Sequence, residues 1–123
     1  MNSAPGFLLV EPSPILASAL SRWLENVFPN AQIFVASNGA EALQLATENI
    51  PSYILIELSL PDKVGIEILI QLRQALPDSR IIATSWFEGR WLIEGVRSAG
   101  ADGFVSKDKL HDELLSLWKV FID

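Results

Sequence analysis

The chain has 123 residues, half of them hydrophobic, with a formal net charge of −6 and no cysteine. That size and apolar content describe one domain able to bury its own core and exclude disorder; the missing cysteines exclude a disulfide framework and a thiolate metal site. The acidic balance, with lysines and arginines scattered, argues against direct nucleic-acid binding by the domain, and no apolar run nears the ~20 residues of a membrane span. Met1 to Gly6 lacks the basic start and apolar core of a signal peptide, so a cytoplasmic protein is expected.

Strands and helices alternate in the pattern. Phe7 to Val10 reads as a first strand, apolar on both faces. Ser13 offers a helix N-cap and Pro14 fits the first helical position; Ile15, Leu16, Ala19, Leu20, Trp23, Leu24 and Val27 then recur at helical spacing up to Pro29. Gln32 to Ala36 is a second strand, and Asn38 with Glu41 forms a capping-box variant opening a helix from Ala40 to Glu48. Tyr53 to Ile56 is the third strand, Ile66 to Leu76 the third helix, and Arg80 to Thr84 the fourth strand. A helix from about Gly89 to Ala99 ends at Gly100; Gly103 to Val105 is a short fifth strand, and Asp108 caps a last helix running to Ile122. Five βα units over residues 1–123 define a single α/β domain: a three-layer α/β/α sandwich with five helices and a five-stranded parallel sheet, expected in the order 2-1-3-4-5.

In such a sheet the carboxyl ends of the strands converge on one crevice, where ligands bind. The sequence places Glu11 after the first strand, Glu57 after the third, Ser85 after the fourth and Lys107 after the fifth. An acid at one strand end is usually a helix cap or solvated turn. Four polar groups at successive strand ends make a pocket the better reading. Pro61 follows Glu57 by four residues and Gly65 follows Pro61 by four. Asp62 is read as part of the turn, Trp86 as lying where a loop closes over the pocket, and Trp23 as core.

With these motifs, and with Gly-Ala-Asp-Gly-Phe-Val-Ser-Lys at 100–107, the chain from about Phe7 to Phe121 resembles the receiver domains of two-component response regulators, in particular the branch that often carries a helix-turn-helix output domain. The resemblance implies a CheY-like (flavodoxin-like) fold and a role in phosphorelay signal transduction and transcription regulation, not an enzyme. In the family an Asp at the position of Glu57 takes a phosphoryl group from a histidine kinase, and two acids after the first strand, here Glu11 and Pro12, help hold Mg²⁺. Ser85 and Lys107 would contact the phosphoryl oxygens, and Phe104 would be the aromatic that turns as the switch is thrown. Ser85, Phe104, Lys107, Pro61 and Gly65 match that pattern; Glu57 and Pro12 depart from it.

The departures bear on the chemistry. Glu57 adds one carbon–carbon bond, roughly 1.5 Å, to the reach of its oxygens, and misplacement by about 1 Å costs on the order of a hundredfold in rate. Proline supplies no side-chain ligand, so no cofactor is expected; Mg²⁺, held by Glu11 and Glu57 if at all, would bind weakly. The expected function is an atypical pseudo-receiver acting as a phosphorylation-independent interaction module, with Glu57 pairing with Lys107 or Ser85. The alternative is a receiver in which Glu57 or a neighbouring acid still takes a phosphoryl group with Mg²⁺.

A module that does not switch must act through a surface. In the last helix Leu110, Leu114, Leu117 and Phe121 are spaced to face the sheet, while His111, Leu115, Trp118 and Ile122 form a second row. With Trp91 in the preceding helix, that row suggests a protein partner or a homodimer through the helix 4–strand 5–helix 5 face, the usual partner face of receivers. A histidine kinase is a further expected partner; nucleic acid and membrane are not.

Overall fold

The computed structural model describes residues 5–122, with side chains through Trp118. Its elements are β1 (Gly6–Val10), α1 (Pro14–Val27), β2 (Gln32–Ala36), α2 (Gly39–Asn49), β3 (Tyr53–Glu57), α3 (Gly65–Ala75), β4 (Arg80–Ser85), α4 (Arg90–Ala99), β5 (Gly103–Ser106) and α5 (Leu110–Ile122), with a 3₁₀ turn (Lys107–Lys109) before α5. The five strands are parallel in the order β2-β1-β3-β4-β5, as the βα pattern predicts. No helix among the described residues is long and apolar enough to cross a membrane.

The strands are apolar on both faces because helices cover both. Leu8, Val10, Ile54, Ile56, Ile81 and Ala83 point to one core, closed by α2, α3 and α4 through Ala42, Ala46, Ile68, Leu69, Leu72, Leu92 and Val96. Phe7, Leu9, Leu55, Ile82 and Val105 point to the other, closed by Leu20 and Leu24 of α1 and by Leu110, Leu114 and Trp118 of α5. Each buried Leu, Ile or Phe contributes about 1.5–3 kcal/mol by leaving water.

Local chemistry sets the element ends. Ser13 accepts the Leu16 N–H at the start of α1, and Asn38 accepts the Glu41 N–H at the start of α2, while Glu41 accepts back from the Ser37 N–H. α2 ends at Ile50 with φ 46°, a left-handed position costly for a β-branched residue. At Gly65 an added Cβ would lie 2.0 Å from the Leu58 carbonyl oxygen, so only glycine lets the β3–α3 turn close this tightly.

Several expectations need correction. Trp118, expected on an outer row of α5, is wholly buried and packs at a tilt against Phe7, with ring centroids 4.9 Å apart. Residues four apart on a helix drift by only about 40° around its axis, so Trp118 stays close to Leu114 and its large ring turns inward. Asp108 does not cap α5; it lies in the 3₁₀ turn, where its carboxylate accepts the Ser106 hydroxyl. Ile15, placed in the apolar row of α1, is 84% exposed. Trp23, read as core, is only partly buried, though it packs against the α1/α5 cluster. The side chains of Phe121 and Ile122, assigned to the two rows, lie outside the described residues.

Candidate functional site

Period-two alternation explains where the charged residues meet. Phe7 and Leu9 face α1 and α5, and Glu11 continues that parity one step past β1. Leu55 and Glu57 do the same on β3, and Val105 and Lys107 on β5. The parallel register sets Leu9 beside Leu55 and Glu57 beside Thr84, bringing the three ends to one edge.

There Lys107 Nζ lies 2.6 Å from Glu11 Oε1 and 2.6 Å from Glu57 Oε1. The three side chains are only 3–5% exposed. The remaining oxygens are also engaged: Glu11 Oε2 accepts the Ser13 N–H at 2.9 Å and Glu57 Oε2 accepts the Ser59 N–H at 3.0 Å. One ammonium therefore holds two carboxylates, and each carboxylate is tied back to its own turn. Such charge-assisted contacts are the stronger class of hydrogen bond. Burial alone would lower the Lys107 pKa, but its hydrogen bonds to Glu11 and Glu57, and their charges, outweigh burial and hold the ammonium above the ordinary lysine value. The ring of Trp86, itself 64% exposed, covers Lys107 with its centroid 5.6 Å from Nζ, a cation–π distance.

The other residues expected at this edge do not join the ion cluster. Ser85 is buried, and its hydroxyl oxygen accepts the Phe87 N–H at 3.1 Å. It shares the parity of Ile81 and Ala83, which face the other core. Phe104 is half-buried against that same core. Pro12 stands next to Glu11 and brings no side-chain donor. His111 is exposed, Leu115 is partly so, and Trp91 is 76% exposed.

Reading the sequence alone paired Glu57 with Lys107 or Ser85 and left Glu11 out of that pairing; the ion pair is with Lys107, and the Ser85 hydroxyl is taken by the Phe87 N–H. Counting in twos from Phe7, Leu55 and Val105 would have found all three. Asp62, read as a turn residue, does more: its carboxylate accepts the Gly39 N–H at 2.8 Å and the Ala40 N–H at 3.1 Å, capping α2 from a distant turn. The Gly39 hydrogen bond is the main reason its pKa lies below the ordinary aspartate value; desolvation opposes it, and the Ala40 bond adds to it.

The donor set does not fit Mg²⁺. That ion takes near-octahedral oxygen ligands at about 2.0–2.1 Å, commonly one or two carboxylates with waters. Here the two carboxylates already share an ammonium, and no group of three or more His, Cys, Asp or Glu side chains among the described residues could hold a metal.

A parallel 2-1-3-4-5 sheet with acids and a lysine converging at its carboxyl edge defines a doubly wound α/β domain with a polar site at its switch point. The chain belongs to the response regulator receiver domain family, which it matches over residues 7–119. It is 33% identical over 102 residues to the transcriptional activator protein ExaE of Pseudomonas putida, covering 83% of this chain and 48% of ExaE. A LuxR-family two-component response regulator from Aurantimonas superposes with a TM-score of 0.86 at 28% identity, covering 97% of this chain and 85% of that one. A Burkholderia pseudomallei response regulator, solved with a phosphorylated aspartic acid, a calcium ion and citrate, superposes with a TM-score of 0.78 at 26% identity, covering 84% of this chain and 59% of that one. The chain spans about half the length of the curated relatives it matches, so it corresponds to the receiver portion of such regulators.

Proposed function

We propose that this domain is a pseudo-receiver: a signalling module held in one state from within, which acts by protein contact and not by phosphorylation of Glu57. The observation that carries the reading is the Lys107 ammonium 2.6 Å from both Glu11 and Glu57. Forming an acyl phosphate needs a carboxylate oxygen in line with the donor phosphorus and cations free to neutralise the developing charge. Here both oxygens of Glu57 are engaged, by Lys107 and by the Ser59 N–H. The residue at this strand end is also a glutamate, whereas the Burkholderia relative carries its phosphoryl group on an aspartic acid.

The surface that would carry the signal is aromatic. Trp86, Phe87 and Trp91 are 64%, 71% and 76% exposed and lie within one short stretch after β4. Tryptophan is a frequent interface anchor. The burial of Trp118 removes it from the expected helix 4–strand 5–helix 5 face and shifts that face toward the start of α4, while His111 lies beside Trp23 of α1, with ring centroids 6.0 Å apart. The partner would be a second copy, a histidine kinase or another protein. Kinship with ExaE supports a transcriptional role exerted through a separate output domain.

Titration with Mg²⁺ and beryllofluoride, followed by Trp fluorescence and amide NMR, tests this. The native protein should not respond, whereas Pro12→Asp combined with Glu57→Asp should. Saturable native shifts at Glu57, Ser85 and Lys107 would overturn the reading. Sedimentation of the native protein and Trp91→Ser across concentration then tests the surface, with self-association expected to weaken in the variant if the partner is a second copy.

A further inference from the structure

We propose that the cleft between α1 and the start of α5 is a binding site for a small planar aromatic amine. Leu16, Ala19, Leu20 and Trp23 stand on one face of α1 at helical spacing and form one wall. Leu110 and His111, in the first turn of α5, form the other, and the chain at Lys107 and Asp108 closes one end. The floor is apolar, since Leu20 and Leu110 are buried, and exposed Ala19 leaves room because it offers only a methyl group. The space between the walls is about 240 Å³. Pockets for drug-sized molecules start at about 300 Å³, so this one takes a single fused ring system.

Two features select the ligand. The first is aromatic: the Trp23 and His111 rings lie 6.0 Å apart and inclined by 32°, a wedge whose faces suit offset packing by a third ring. The His111 side chain is 87% exposed and is free to turn outward as a ring enters. The second is charge. Asp108 is the acid on the lining, exposed, with one carboxylate oxygen on the Ser106 hydroxyl, and Asp112 and Glu113 follow it on α5. The nearby bases are committed elsewhere: Lys107 to Glu11 and Glu57, Lys109 to Glu88 at 3.7 Å, and Arg22 to the Ser18 hydroxyl on the adjoining face of α1. A cation is therefore favoured over an anion, and an ammonium at Asp108 gains a charge-assisted hydrogen bond while its ring packs on Trp23.

The cleft shares no lining residue with the aromatic surface of Trp86, Phe87 and Trp91, and its assignment stands whether or not Glu57 takes a phosphoryl group. Its closed end is the turn that carries Lys107, so an occupant lies against the backbone that positions the ion cluster. Tryptamine is the probe, followed by amide and indole N–H NMR at constant pH. Indolepropionate, with the same ring and the opposite charge, and butylamine, with the charge and no ring, are the controls. Tryptamine should give saturable shifts at Ala19, Trp23, Asp108 and His111 with a Kd of about 1 mM, the strength so few atoms supply. Both controls should bind at least about tenfold more weakly.

Ala19→Leu fills the cleft at an exposed helical position that tolerates leucine, so the variant should fold and lose the shifts. Asp108→Asn should weaken tryptamine about tenfold and leave neutral skatole unchanged. No saturation in the native protein, or native binding by Ala19→Leu, would overturn the proposal. So would indolepropionate binding as well as tryptamine, or shifts confined to Trp86 and Trp91. If the cleft resonances move on raising protein concentration alone, and Ala19→Leu stops them, the occupant is a second copy and the proposal is overturned as well.

Discussion

The two edges of the sheet each carry a cation drawn in from solvent, wholly for Lys107 and partly for Arg73, and they use it differently. At the amino edge, Arg73 of α3 donates to the carbonyls of Gly100, Leu76, Pro77 and Ser79 and pairs with Asp102 at 2.8 Å. Asp102 also accepts the Ile81 N–H, and the Ser79 hydroxyl donates to the Pro51 carbonyl. Arg73 thus ties turn to turn through backbone groups that the fold must satisfy in any case. At the carboxyl edge, Lys107 meets carboxylates and no carbonyl: its described partners are Glu11, Glu57 and the Trp86 ring. A guanidinium spends its fork of donors on main-chain oxygens and serves architecture, whereas an ammonium between two side-chain acids sets the charge state of a pocket.

Substitutions sharpen that contrast. Lys107→Met should be the most damaging, because it strands two carboxylates with side chains under 6% exposed; breaking a buried pair costs about 3–5 kcal/mol, read by urea denaturation. Removing both acids as well, in Glu11→Gln and Glu57→Gln with Lys107→Met, should recover much of that loss, since the uncompensated charge is gone. Arg73→Ala should cost less, about 2 kcal/mol, because its side chain is 23% exposed and water can reach some of the carbonyls it leaves. If Arg73→Ala proves the costlier, the contrast between the edges is wrong.

A change at the amino edge should have the opposite sign. Ile50→Gly removes the left-handed strain at the end of α2, where the side chain is 70% exposed, and should stabilise by about 0.5–1 kcal/mol in thermal unfolding. The smallest effects are in pH. The Lys107 pKa is raised above 10.5, so its contribution is complete below that value and is lost as pH climbs through the higher folded pKa. The Asp62 pKa is lowered below 3.8, so its cap is intact above that value and lost as pH falls through the folded pKa. Between those limits neither group should contribute a slope to the stability profile measured by denaturation at stepped pH.

Much of this was legible in the residues, and the gaps have physical causes. Apolar runs such as Ile54 to Ile56 and caps such as Ser13 and Asn38 announce the elements, and five βα units leave little freedom in topology. Strand-end chemistry marked Glu11, Glu57 and Lys107, but type and order carry no distance, so the shared ammonium emerged only with the register. Trp118 was misplaced because a helix row drifts around the axis while a sequence row does not. The Arg73 hub escaped notice because its partners are carbonyls, which every residue possesses and no composition reveals. Asp62 was hidden for a related reason: its partners, Gly39 and Ala40, lie more than twenty residues earlier.

That long-range cap makes α2 a listener to the loop that follows Glu57. The Gly39 and Ala40 amides are held by a carboxylate belonging to the β3–α3 turn, so they exchange with solvent deuterium only when the turn lets go or α2 frays. Their exchange rates, compared with that of the Glu41 amide held locally by Asn38, form a built-in clock for loop opening, legible without touching the pocket itself.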